Sequence, residues 1–550
     1  MDIVLVGLPG SGKSVVGKRL AHRHDAAFID LDERIERTDG RPIPTIFAED
    51  GEATFRMLER EAVEELGPPD PDQVIRRIIA TGGGAVIDPR NRWALYRGRI
   101  GVWLDGRPEV LAQRLRRSPH VRPLITGRDP IRAIRDLQAR RERFYAAADV
   151  HIAGVADVAS VVDAVEAHVS NQARQPTAGT HLLSASTPIG RVVLGDGIAV
   201  EALDTALGRL EARRAVIVSE PGAWNAVGRS VVAGLEARGR SAVIVLLPQG
   251  EAAKRLSVIE TAASELAGHH VGRGEPLVAI GGGALGDAAG FLAATYLRGI
   301  PIVHVPTSLV AQIDSSIGGK TAVDLPEGKN LVGAFHQPTD IVIDVALLAT
   351  LPERHRRAAL GEAVKMAALG DDRLFELLER RGDDIARGDQ GSVERGELAE
   401  LVERCAWAKV EIVAADEREQ AGSSGRITLN LGHSLGHAVE AAAGYEGLLH
   451  GEAVAYGLRA ACRIGEAVGV TPPERTARIG ALLDRLGLAR EPLPYALDEV
   501  LRHLAVDKKH EAGRLRWVLP TGDGVEVRTD VPDGIVVDAA GSLLAAGTAR

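Results

Sequence analysis

The eight residues 7–14, with the sequence GLPGSGKS, constrain the fold of this chain more than any other feature. They follow the apolar stretch Ile3–Val6 and precede a helical pattern, which predicts a buried strand, a glycine-rich loop and a helix. Glycines let backbone N–H groups converge on phosphate oxygens, and the helix N-terminus adds its positive end. We therefore predict a nucleoside triphosphate site. Its predicted residues are Gly10 and Gly12 in the loop, Lys13 on the β- and γ-phosphates, and Ser14 on Mg²⁺.

Length and composition bound the class of protein. A chain of 550 residues is too long for one core, and about 150 residues per domain predicts three to four domains. The two cysteines, Cys405 and Cys462, cannot form a disulfide framework, so we expect a reducing cytoplasm. We expect no signal peptide, because residues 1–6 open a strand, and no membrane helix, because no apolar run approaches roughly 20 residues. The formal net charge of −9 argues against nonspecific nucleic-acid binding.

The pattern of apolar runs predicts an α/β protein with a division near residue 170. The polar segment Ser170–Thr187 lacks sustained periodicity, which is typical of a linker. Downstream, short apolar runs alternate with helical patterns, which predicts a parallel sheet with covered faces. These runs are 191–194, 215–218, 242–247 and 277–280. From about Leu347 the pattern is helical, with a late hairpin at 514–519 and 524–528. The predicted parts are a P-loop domain at 1–170, a linker at 171–184, a dinucleotide-binding α/β part at 185–346 and a helical metal-binding part at 347–550.

Two aspartates and an arginine are candidates for the chemistry of the first part. Asp30 and Asp32 follow the apolar pair Phe28-Ile29, so we expect both at a strand's carboxyl end, on one face of the chain. Carboxylates there can hold Mg²⁺ or accept a proton from a hydroxyl nucleophile, although one of them could instead cap the next helix. Arg56 lies three residues before Glu59 on a predicted helix, where an ion pair could fix the guanidinium for a carboxylate ligand.

Residues 1–170 resemble the shikimate kinases, which are small P-loop phosphotransferases. The matching motifs are GLPGSGKS at 7–14, DLD at 30–32, FRMLE at 55–59, GGG at 82–84, VRPL at 121–124 and the arginine four residues before Tyr145. The resemblance implies transfer of the ATP γ-phosphoryl group to the 3-hydroxyl of shikimate, by positioning and charge neutralisation. The implied roles are Mg²⁺ support for Asp30, shikimate contacts for Asp32, Arg56, Gly83 and Arg141, and closure over ATP by a basic lid for Arg122.

The second part has its own glycine-rich segment and a histidine cluster. A glycine triplet at 281–283 follows a predicted strand, and Gly–Lys pairs recur on the loops downstream, which suits recognition of an anionic group. His433 and His437 lie four apart on a predicted helix, and His450 follows. Glu362 lies in an apolar helical context, where an unpaired carboxylate would be unfavourable. Two imidazoles and one carboxylate with an open fourth position form a catalytic zinc arrangement, but the residues alone do not select which two histidines bind.

Residues from about 185 to 550 resemble 3-dehydroquinate synthase. The matching motifs are PQGEAAK at 248–254, GGGALGD at 281–287, AATYLRG at 293–299, DSSIGGKT at 314–321, GKN at 328–330, GEAVK at 361–365, RITLNLGHSLGHAVE at 426–440, LHGE at 449–452 and DKK at 507–509. The resemblance implies NAD- and zinc-dependent conversion of 3-deoxy-D-arabino-heptulosonate 7-phosphate to 3-dehydroquinate and phosphate, with Co²⁺ as a possible substitute for Zn²⁺.

The same resemblance implies a role for each matching residue. The implied zinc ligands are Glu362, His433 and His450, with His437 at the substrate phosphate. The implied NAD pocket comprises Glu220, Glu251, Lys254, Gly282, Gly283, Asp287, Thr307 and Ser308, with Lys320 and Lys329. The implied substrate and catalytic groups are Asp314, Lys320, Lys329, Asn330, Lys365, Lys409, Arg426, Asn430 and one of Lys508 or Lys509. Arg298 would reach the site of a neighbouring subunit, which implies a homodimer.

Three alternatives stay open. The second part could be another sugar-phosphate cyclase, making an inosose or a valiolone, although Arg426 and Lys409 as a carboxylate-binding pair favour dehydroquinate. It could be a zinc- or iron-dependent polyol dehydrogenase, which would release NADH stoichiometrically. The first part could be a non-catalytic nucleotide-sensing module, although the presence of Lys13, Ser14, Asp32 and Arg141 together argues against that.

Overall fold

The computed structural model describes residues 1–70, 74–117, 129–153, 157–174, 179–326, 328–389, 395–422, 424–444, 447–506, 510–511 and 514–545. The chain divides into two compact units, residues 1–186 with 192–198 and residues 187–191 with 199–550. Within the described ranges, no helix combines the length and the apolar character that crossing a membrane requires.

The first unit contains a parallel sheet of five described strands in the order β2-β3-β1-β4-β5. The strands are β1 Asp2–Val6, β2 Ala27–Asp30, β3 Arg77–Ala80, β4 Ile100–Leu104 and β5 Val150–Ile152. The helices are α1 Lys13–His24, α2 Leu31–Asp39, α3 Ile43–Glu49, α4 Gly51–Glu64, α5 Pro89–Tyr96, α6 Pro108–Arg117, α7 Pro130–Tyr145 and α8 Val158–Arg174.

Strand β1 can lie buried at the centre of this sheet because four of its five residues are apolar and the fifth, Asp2, is ion-paired. All five of its residues are buried, and Ile3 pairs with Ile78 of β3 and Ile100 of β4. Val16 and Leu20 of α1 belong to the same core cluster. The predicted strand–loop–helix unit is therefore confirmed, and the loop after β1 lies between the carboxyl ends of β3 and β4.

A second sheet has seven described strands in the order β6-β7-β14-β11-β10-β8-β9, and its pairs from β14 to β9 are parallel. The strands of this region are β6 Thr180–Thr187, β7 Gly190–Asp196, β8 Arg214–Ser219, β9 Ser241–Leu246, β10 Leu277–Gly281, β11 Ile302–Pro306, the antiparallel pair β12 Lys320–Leu325 and β13 Gly328–Phe335, and β14 Asp340–Asp344. The helices are α9 Ala199–Arg209, α10 Pro221–Ala223, α11 Arg229–Ala237, α12 Leu256–Gly268 and α13 Gly283–Thr295.

The remainder is mainly helical, as predicted. Its helices are α14 Glu353–Ala368, α15 Asp372–Arg387, α16 Arg395–Ala415, α17 His433–Ala442, α18 His450–Ala467, α19 Pro473–Arg485, α20 Leu497–Val506 and α21 Asp533–Gly541. Its short strands are β15 His510–Glu511, β16 Arg514–Leu515, β17 Trp517–Pro520 and β18 Val525–Arg528, and β17 and β18 form the expected late hairpin.

Regular structure extends into the range predicted as a linker. Helix α8 runs to Arg174 and β6 begins at Thr180, so residues 171–174 and 180–184 are helix and strand. The strand escapes a periodicity test because it lies at the edge of its sheet, where only a few positions need apolar side chains; Leu182 and Leu183 supply them. The polar composition of this range therefore did not exclude an edge strand.

The turn after α13 contains two consecutive non-glycine residues in the left-handed region. Leu297 has a φ of 49° and Arg298 a φ of 69°, and Gly299 follows with a φ of 117°. Left-handed backbone is unfavourable for residues with a Cβ atom. The turn therefore holds the Arg298 backbone in a strained conformation.

Candidate active sites

The loop after β1 has the geometry of an anion-binding site. Gly10 and Gly12 have φ angles of 84° and 94°, which glycine adopts without a steric penalty. Helix α1 begins immediately after Gly12, so its unpaired N–H groups and positive end face the loop. The Lys13 ammonium donates to the carbonyl oxygens of Gly7 at 2.8 Å and Leu8 at 3.2 Å, so it lies over the same loop.

Asp30 joins the loop to the second strand. It is the last residue of β2, and its Oδ2 accepts a hydrogen bond of 2.6 Å from the Ser14 hydroxyl. Its Oδ1 accepts the N–H of Asp32 at 3.0 Å and so caps α2. The sequence pattern predicts both aspartates at the end of one strand. The strand instead ends at Asp30, and Asp32 lies in the first turn of α2. A hydroxyl and a carboxylate oxygen, both ligands that Mg²⁺ accepts, are nevertheless adjacent.

A second cluster surrounds the glycine triplet after β3. A Cβ atom on Gly84 would lie 2.4 Å from Nη1 of Arg56, and one on Gly82 would lie 2.6 Å from Oδ1 of Asp32. The missing side chains therefore let these charged groups approach the backbone. Arg141 donates to the carbonyl oxygen of Gly83 at 2.8 Å. The structure thus brings Asp32, Arg56, Gly83 and Arg141 together beside the phosphate-binding loop.

Glu59 orients the arginine of this cluster. Its side chain is 2% exposed, and its Oε2 lies 2.8 Å from Nη1 of Arg56. Burial raises the pKa of the Glu59 carboxyl, while the charge of Arg56 opposes that rise. The ion pair predicted from the spacing of these two residues is present. Arg122, the expected lid residue, lies outside the described residues.

In the second unit, the glycine triplet lies where three strands end side by side. Strands β8, β10 and β11 are neighbours, and they are followed by Glu220, Gly282 and Thr307. The Glu220 carboxylate accepts from the Gln249 side chain and the Gly250 N–H, both at 2.8 Å. Crevices at the carboxyl ends of parallel strands are the usual position of dinucleotides.

A buried lysine connects α13 to the β12–β13 hairpin. The Lys254 ammonium is 3% exposed and lies 2.8 Å from Oδ2 of Asp287, and it also donates to the side-chain oxygen of Asn330. Burial raises the pKa of Asp287, and the charge of Lys254 opposes that rise. Lys329 of the hairpin lies 3.3 Å from Oε1 of Glu251. Five residues predicted for the NAD pocket or substrate are therefore in one network.

Close helix packing brings the candidate metal ligands together. A Cβ atom on Gly361 of α14 would lie 2.2 Å from the carbonyl oxygen of Gly451 in α18, so the two helices touch through glycine. Glu362 and His450 are the neighbours of these glycines in sequence. Helix α17 contacts α18 in the same way, because a Cβ atom on Gly457 would lie 1.7 Å from the carbonyl oxygen of Gly432, the residue before His433.

The geometry of Glu362, His433 and His450 fits a divalent metal ion. Glu362 is fully buried, and its Oε1 lies 3.0 Å from Nε2 of His450 and 3.5 Å from Nε2 of His433. Ligand atoms about 2.0–2.1 Å from a tetrahedral zinc ion are roughly 3.3 Å apart. Burial disfavours a charge on His450, but hydrogen bonds to Glu362 and Glu440 outweigh it and raise the pKa of His450 to about 10. The electrostatic potential at the Glu362–His450 contact therefore favours a positive charge.

His437 is the rival ligand. One ring nitrogen from each of His433, His437 and His450 lies within 4.8 Å of the other two. The ring of His437 meets that of His433 edge-on, with centroids 5.2 Å apart. All four predicted residues thus occupy one site, and both three-ligand sets remain geometrically possible.

Two lysines and an aspartate extend the site from Glu362. Lys365 lies 2.6 Å from Oε2 of Glu362 and 3.8 Å from Oδ1 of Asp314, which in turn lies 2.7 Å from the Lys409 ammonium. Burial lowers the pKa of Lys409, although Asp314 favours its charged form. For Lys365, the charges of Asp314 and Glu362 outweigh burial and raise the pKa. Positive and negative groups therefore alternate through the helical interior.

Two acidic residues complete this network and were not predicted. Glu419 accepts from Lys320 at 2.7 Å and from the Asn430 amide at 2.9 Å. Glu440 contacts both His450 and Lys329. The spacing of Glu440, seven residues after His433 on one helix, could have indicated it. Glu419 lies on an irregular loop where the sequence offers no such signal.

Arg426 is held near the same lysines. It is 3% exposed, and its Nη1 donates to the carbonyl oxygens of Gly318 at 3.0 Å and Glu417 at 2.6 Å. Lys508 and Lys509, of which one was predicted to contact substrate, lie outside the described residues.

These arrangements define two classes of site in one chain, a P-loop phosphotransferase site and a candidate metal site beside a dinucleotide-type sheet. The shikimate kinase family model matches residues 9–170. The models for the N-terminal and C-terminal parts of 3-dehydroquinate synthase match residues 244–358 and 359–510.

A curated relative agrees with the family models of the second part. A 3-dehydroquinate synthase from Neisseria gonorrhoeae is 41% identical over 357 residues, which are 65% of this chain and 96% of that protein. The solved 2-epi-5-epi-valiolone synthase of Streptomyces hygroscopicus, with NAD⁺ and Zn²⁺ bound, is 29% identical with a TM-score of 0.58, covering 64% of this chain and 96% of that chain. A solved shikimate kinase from Acinetobacter baumannii is 33% identical, covering 31% of this chain and 94% of that chain, with a TM-score of 0.29.

This chain belongs to the 3-dehydroquinate synthase family, fused at its N-terminal side to a shikimate kinase. It is a bifunctional enzyme of the shikimate pathway.

Proposed function

We propose that the first unit phosphorylates the 3-hydroxyl of shikimate with ATP and Mg²⁺, and that the second converts 3-deoxy-D-arabino-heptulosonate 7-phosphate to 3-dehydroquinate and phosphate with NAD and Zn²⁺. The observation that carries the second assignment is the set Glu362, His433 and His450 around a fully buried carboxylate, which a substrate-binding zinc ion would fit with one position open. The first rests on the juxtaposition of the phosphate loop with a second, arginine-rich cluster.

In the kinase unit, the side chains have separable roles. Lys13 would move from the loop carbonyls onto the transferring phosphoryl group, whose charge grows in the transition state. Ser14 and Asp30 would hold Mg²⁺. Arg56, fixed by Glu59, and Arg141 would bind the substrate carboxylate, because a guanidinium matches a carboxylate with paired hydrogen bonds. Asp32 would accept the proton of the attacking hydroxyl.

In the synthase unit, bound NAD⁺ would supply reversible oxidation of a substrate hydroxyl, and bound Zn²⁺ would supply a Lewis acid at that oxygen. Residues Glu220 and Asp287 border the proposed dinucleotide site. Lys409 and Arg426 would bind the substrate carboxylate, because burial disfavours the charged form of both groups and a bound anion would stabilise that charge. His437 would face the departing phosphate.

The carboxylate-binding pair, Lys409 and Arg426, distinguishes this function from that of related cyclases. Sugar phosphates that lead to an inosose or a valiolone carry no carboxylate, so they would offer Lys409 and Arg426 no anionic group of their own. We therefore favour the heptulosonate phosphate as the substrate. We further propose a homodimer in which Arg298 reaches the partner's site.

The test is the release of inorganic phosphate from 3-deoxy-D-arabino-heptulosonate 7-phosphate by the purified chain, with and without a chelator. We expect release that depends on metal and NAD⁺ without accumulation of NADH. Stoichiometric NADH would instead indicate a polyol dehydrogenase, and activity only with sugar phosphates that lack a carboxylate would indicate another cyclase. In the same preparation, ADP formation should depend on shikimate.

A further inference from the structure

One buried glutamate joins the candidate metal centre to the β12–β13 hairpin. Glu440 lies on α17, and its side chain is 8% exposed. Its Oε2 lies 3.2 Å from Nδ1 of His450, and its Oε1 lies 2.9 Å from the Lys329 ammonium. A single carboxylate thus contacts α18 on one side and β13 on the other.

The contact with His450 determines which ring nitrogen can bind a metal. Nε2 of His450 faces Glu362 at 3.0 Å, on the opposite side of the ring from Glu440. An Nδ1–H group that donates to a carboxylate leaves the lone pair of Nε2 for the metal and fixes the ring orientation. Glu440 therefore holds His450 in the tautomer that a zinc ligand needs.

The contact with Lys329 extends this effect toward the proposed dinucleotide site. Lys329 lies between Glu440 and Glu251, at 2.9 Å and 3.3 Å from their carboxylates. Glu251 comes directly after Gly250, whose N–H donates to Glu220. Lys329 comes directly before Asn330, which accepts from Lys254. A movement of Glu440 would therefore move Lys329 and change the contacts of the groups predicted to bind NAD.

We propose that Glu440 is a positioning residue that orients His450 toward the metal and, through Lys329, couples occupancy of the metal site to occupancy of the dinucleotide site. This rests on the proposed function, because it takes His450 as a zinc ligand. Coupling between two binding equilibria is reciprocal, so NAD⁺ should tighten zinc binding by the same factor by which zinc tightens NAD⁺ binding.

The first experiment measures zinc affinity of the full-length, metal-stripped protein by competition with a chelator. Loss of a carboxylate that orients a metal-bound histidine typically weakens metal binding about 10–100-fold, so Glu440→Gln should raise the zinc Kd by that factor. Glu400→Gln is the matched control. Glu400 is a fully buried glutamate that, like Glu440, has a cationic neighbour, and its ion-pair partners Arg404 and Arg373 lie on α16 and α15. Its zinc Kd should stay close to that of the wild type.

The second experiment measures the NAD⁺ Kd by calorimetry with and without Zn²⁺. In the wild type, zinc should tighten NAD⁺ binding at least about fivefold, which is the lower end of typical coupling. Glu440→Gln and Lys329→Met should both bring the ratio of the NAD⁺ Kd without zinc to the NAD⁺ Kd with zinc close to one. Lys329→Met should leave the zinc Kd measured without NAD⁺ unchanged, because it retains the Glu440–His450 contact.

The outcomes separate this inference from the proposed function. A wild-type protein that binds no zinc would overturn both. A wild type that binds zinc tightly, beside a folded Glu440→Gln protein with the same zinc Kd or an unchanged NAD⁺ ratio, would overturn the inference alone. If Glu440→Gln does not fold, Glu440→Asp replaces it; an unaltered visible spectrum and affinity of its Co²⁺ form would equally overturn the role of Glu440.

Discussion

The kinase site and the synthase site are built from different chemical groups. The first relies on backbone, with a glycine-rich loop, a helix N-terminus and a glycine triplet against which the arginines rest. The second relies on buried side-chain charges, with Glu362 fully buried and Lys365 1% exposed. Backbone dipoles need no counter-charge, whereas buried ions are stable only while paired.

This difference affects how each site responds to substitution. Removing the charge of Lys13 from the phosphate loop leaves a loop whose geometry depends on glycine. Removing one charge from the synthase site leaves its neighbours buried and unpaired, which typically destabilises a protein by about 3–5 kcal/mol. We therefore expect phosphate-loop variants to lose rate with little loss of stability, and synthase variants to lose metal, rate and stability together.

The largest effect should come from the proposed zinc ligands. His433→Ala or His450→Ala should remove zinc and lower synthase kcat by about three orders of magnitude, since a catalytic metal supplies several kcal/mol. Metal content by atomic emission and the rate of phosphate release check this, with kinase activity of the same sample as the control. His437→Ala should lose activity while keeping zinc. A His437→Ala protein without zinc, beside a His450→Ala protein with it, would select the three-histidine set instead.

The phosphate loop should give the next largest effect. Lys13→Ala should lower shikimate kinase kcat by two or more orders of magnitude, because it removes a group that stabilises transition-state charge. Unfolding temperature and synthase activity should not change. Kinase activity within a fewfold of the wild type would show that this loop does not bind the transferred phosphate.

Acid should weaken the synthase unit through a histidine behind its glycine-rich segment. His304 of β11 is buried, and burial together with His336 lowers its pKa to about 4. The unfolded chain, with an ordinary histidine pKa of about 6.5, binds this proton first, so stability falls as the pH drops from 6.5 to 4, by about 3 kcal/mol at most. The temperature at which half of the synthase activity is lost on heating should fall between pH 7 and pH 5. His304→Gln should make that fall smaller. An identical fall in both proteins would contradict this.

The smallest effect should follow separation of the two parts. Fragments 1–174 and 179–550 cut outside α8 and β6, so each should retain its activity within about twofold. A second fragment that begins at residue 184 cuts β6 in half and should be less stable, which circular dichroism during heating would detect. Loss of both activities in the first pair of fragments would mean that the sites depend on each other.

Local patterns predicted most of the fold. The apolar runs at 191–194, 215–218, 242–247 and 277–280 correspond to β7, β8, β9 and β10. Strands β8 and β10 lie inside the sheet and are buried, which requires continuous apolar sequence. Strand β6 was missed because polar residues surround its short apolar pair, Leu182 and Leu183. Asp32 was expected on a strand because nothing in its neighbours shows that β2 ends two residues earlier.

The candidate sites divide in the same way. Residues within a motif, such as Lys13 and Ser14, were predicted because their geometry is set by local backbone. Glu440 and Glu419 were not, because their contacts join helices and strands as much as 111 residues apart in sequence. Such contacts depend on tertiary packing, here through the glycine contacts between helices, which the chain order does not reveal.

The strained turn at Leu297 and Arg298 sets stability and activity against each other. Each left-handed residue of this kind costs about 1–3 kcal/mol, and Leu297 is 38% exposed, so packing does little to offset it. A library of random variants selected only for survival at high temperature should therefore accumulate glycine at these positions. The same library selected for growth without aromatic amino acids should retain arginine at 298, if its side chain acts where we propose.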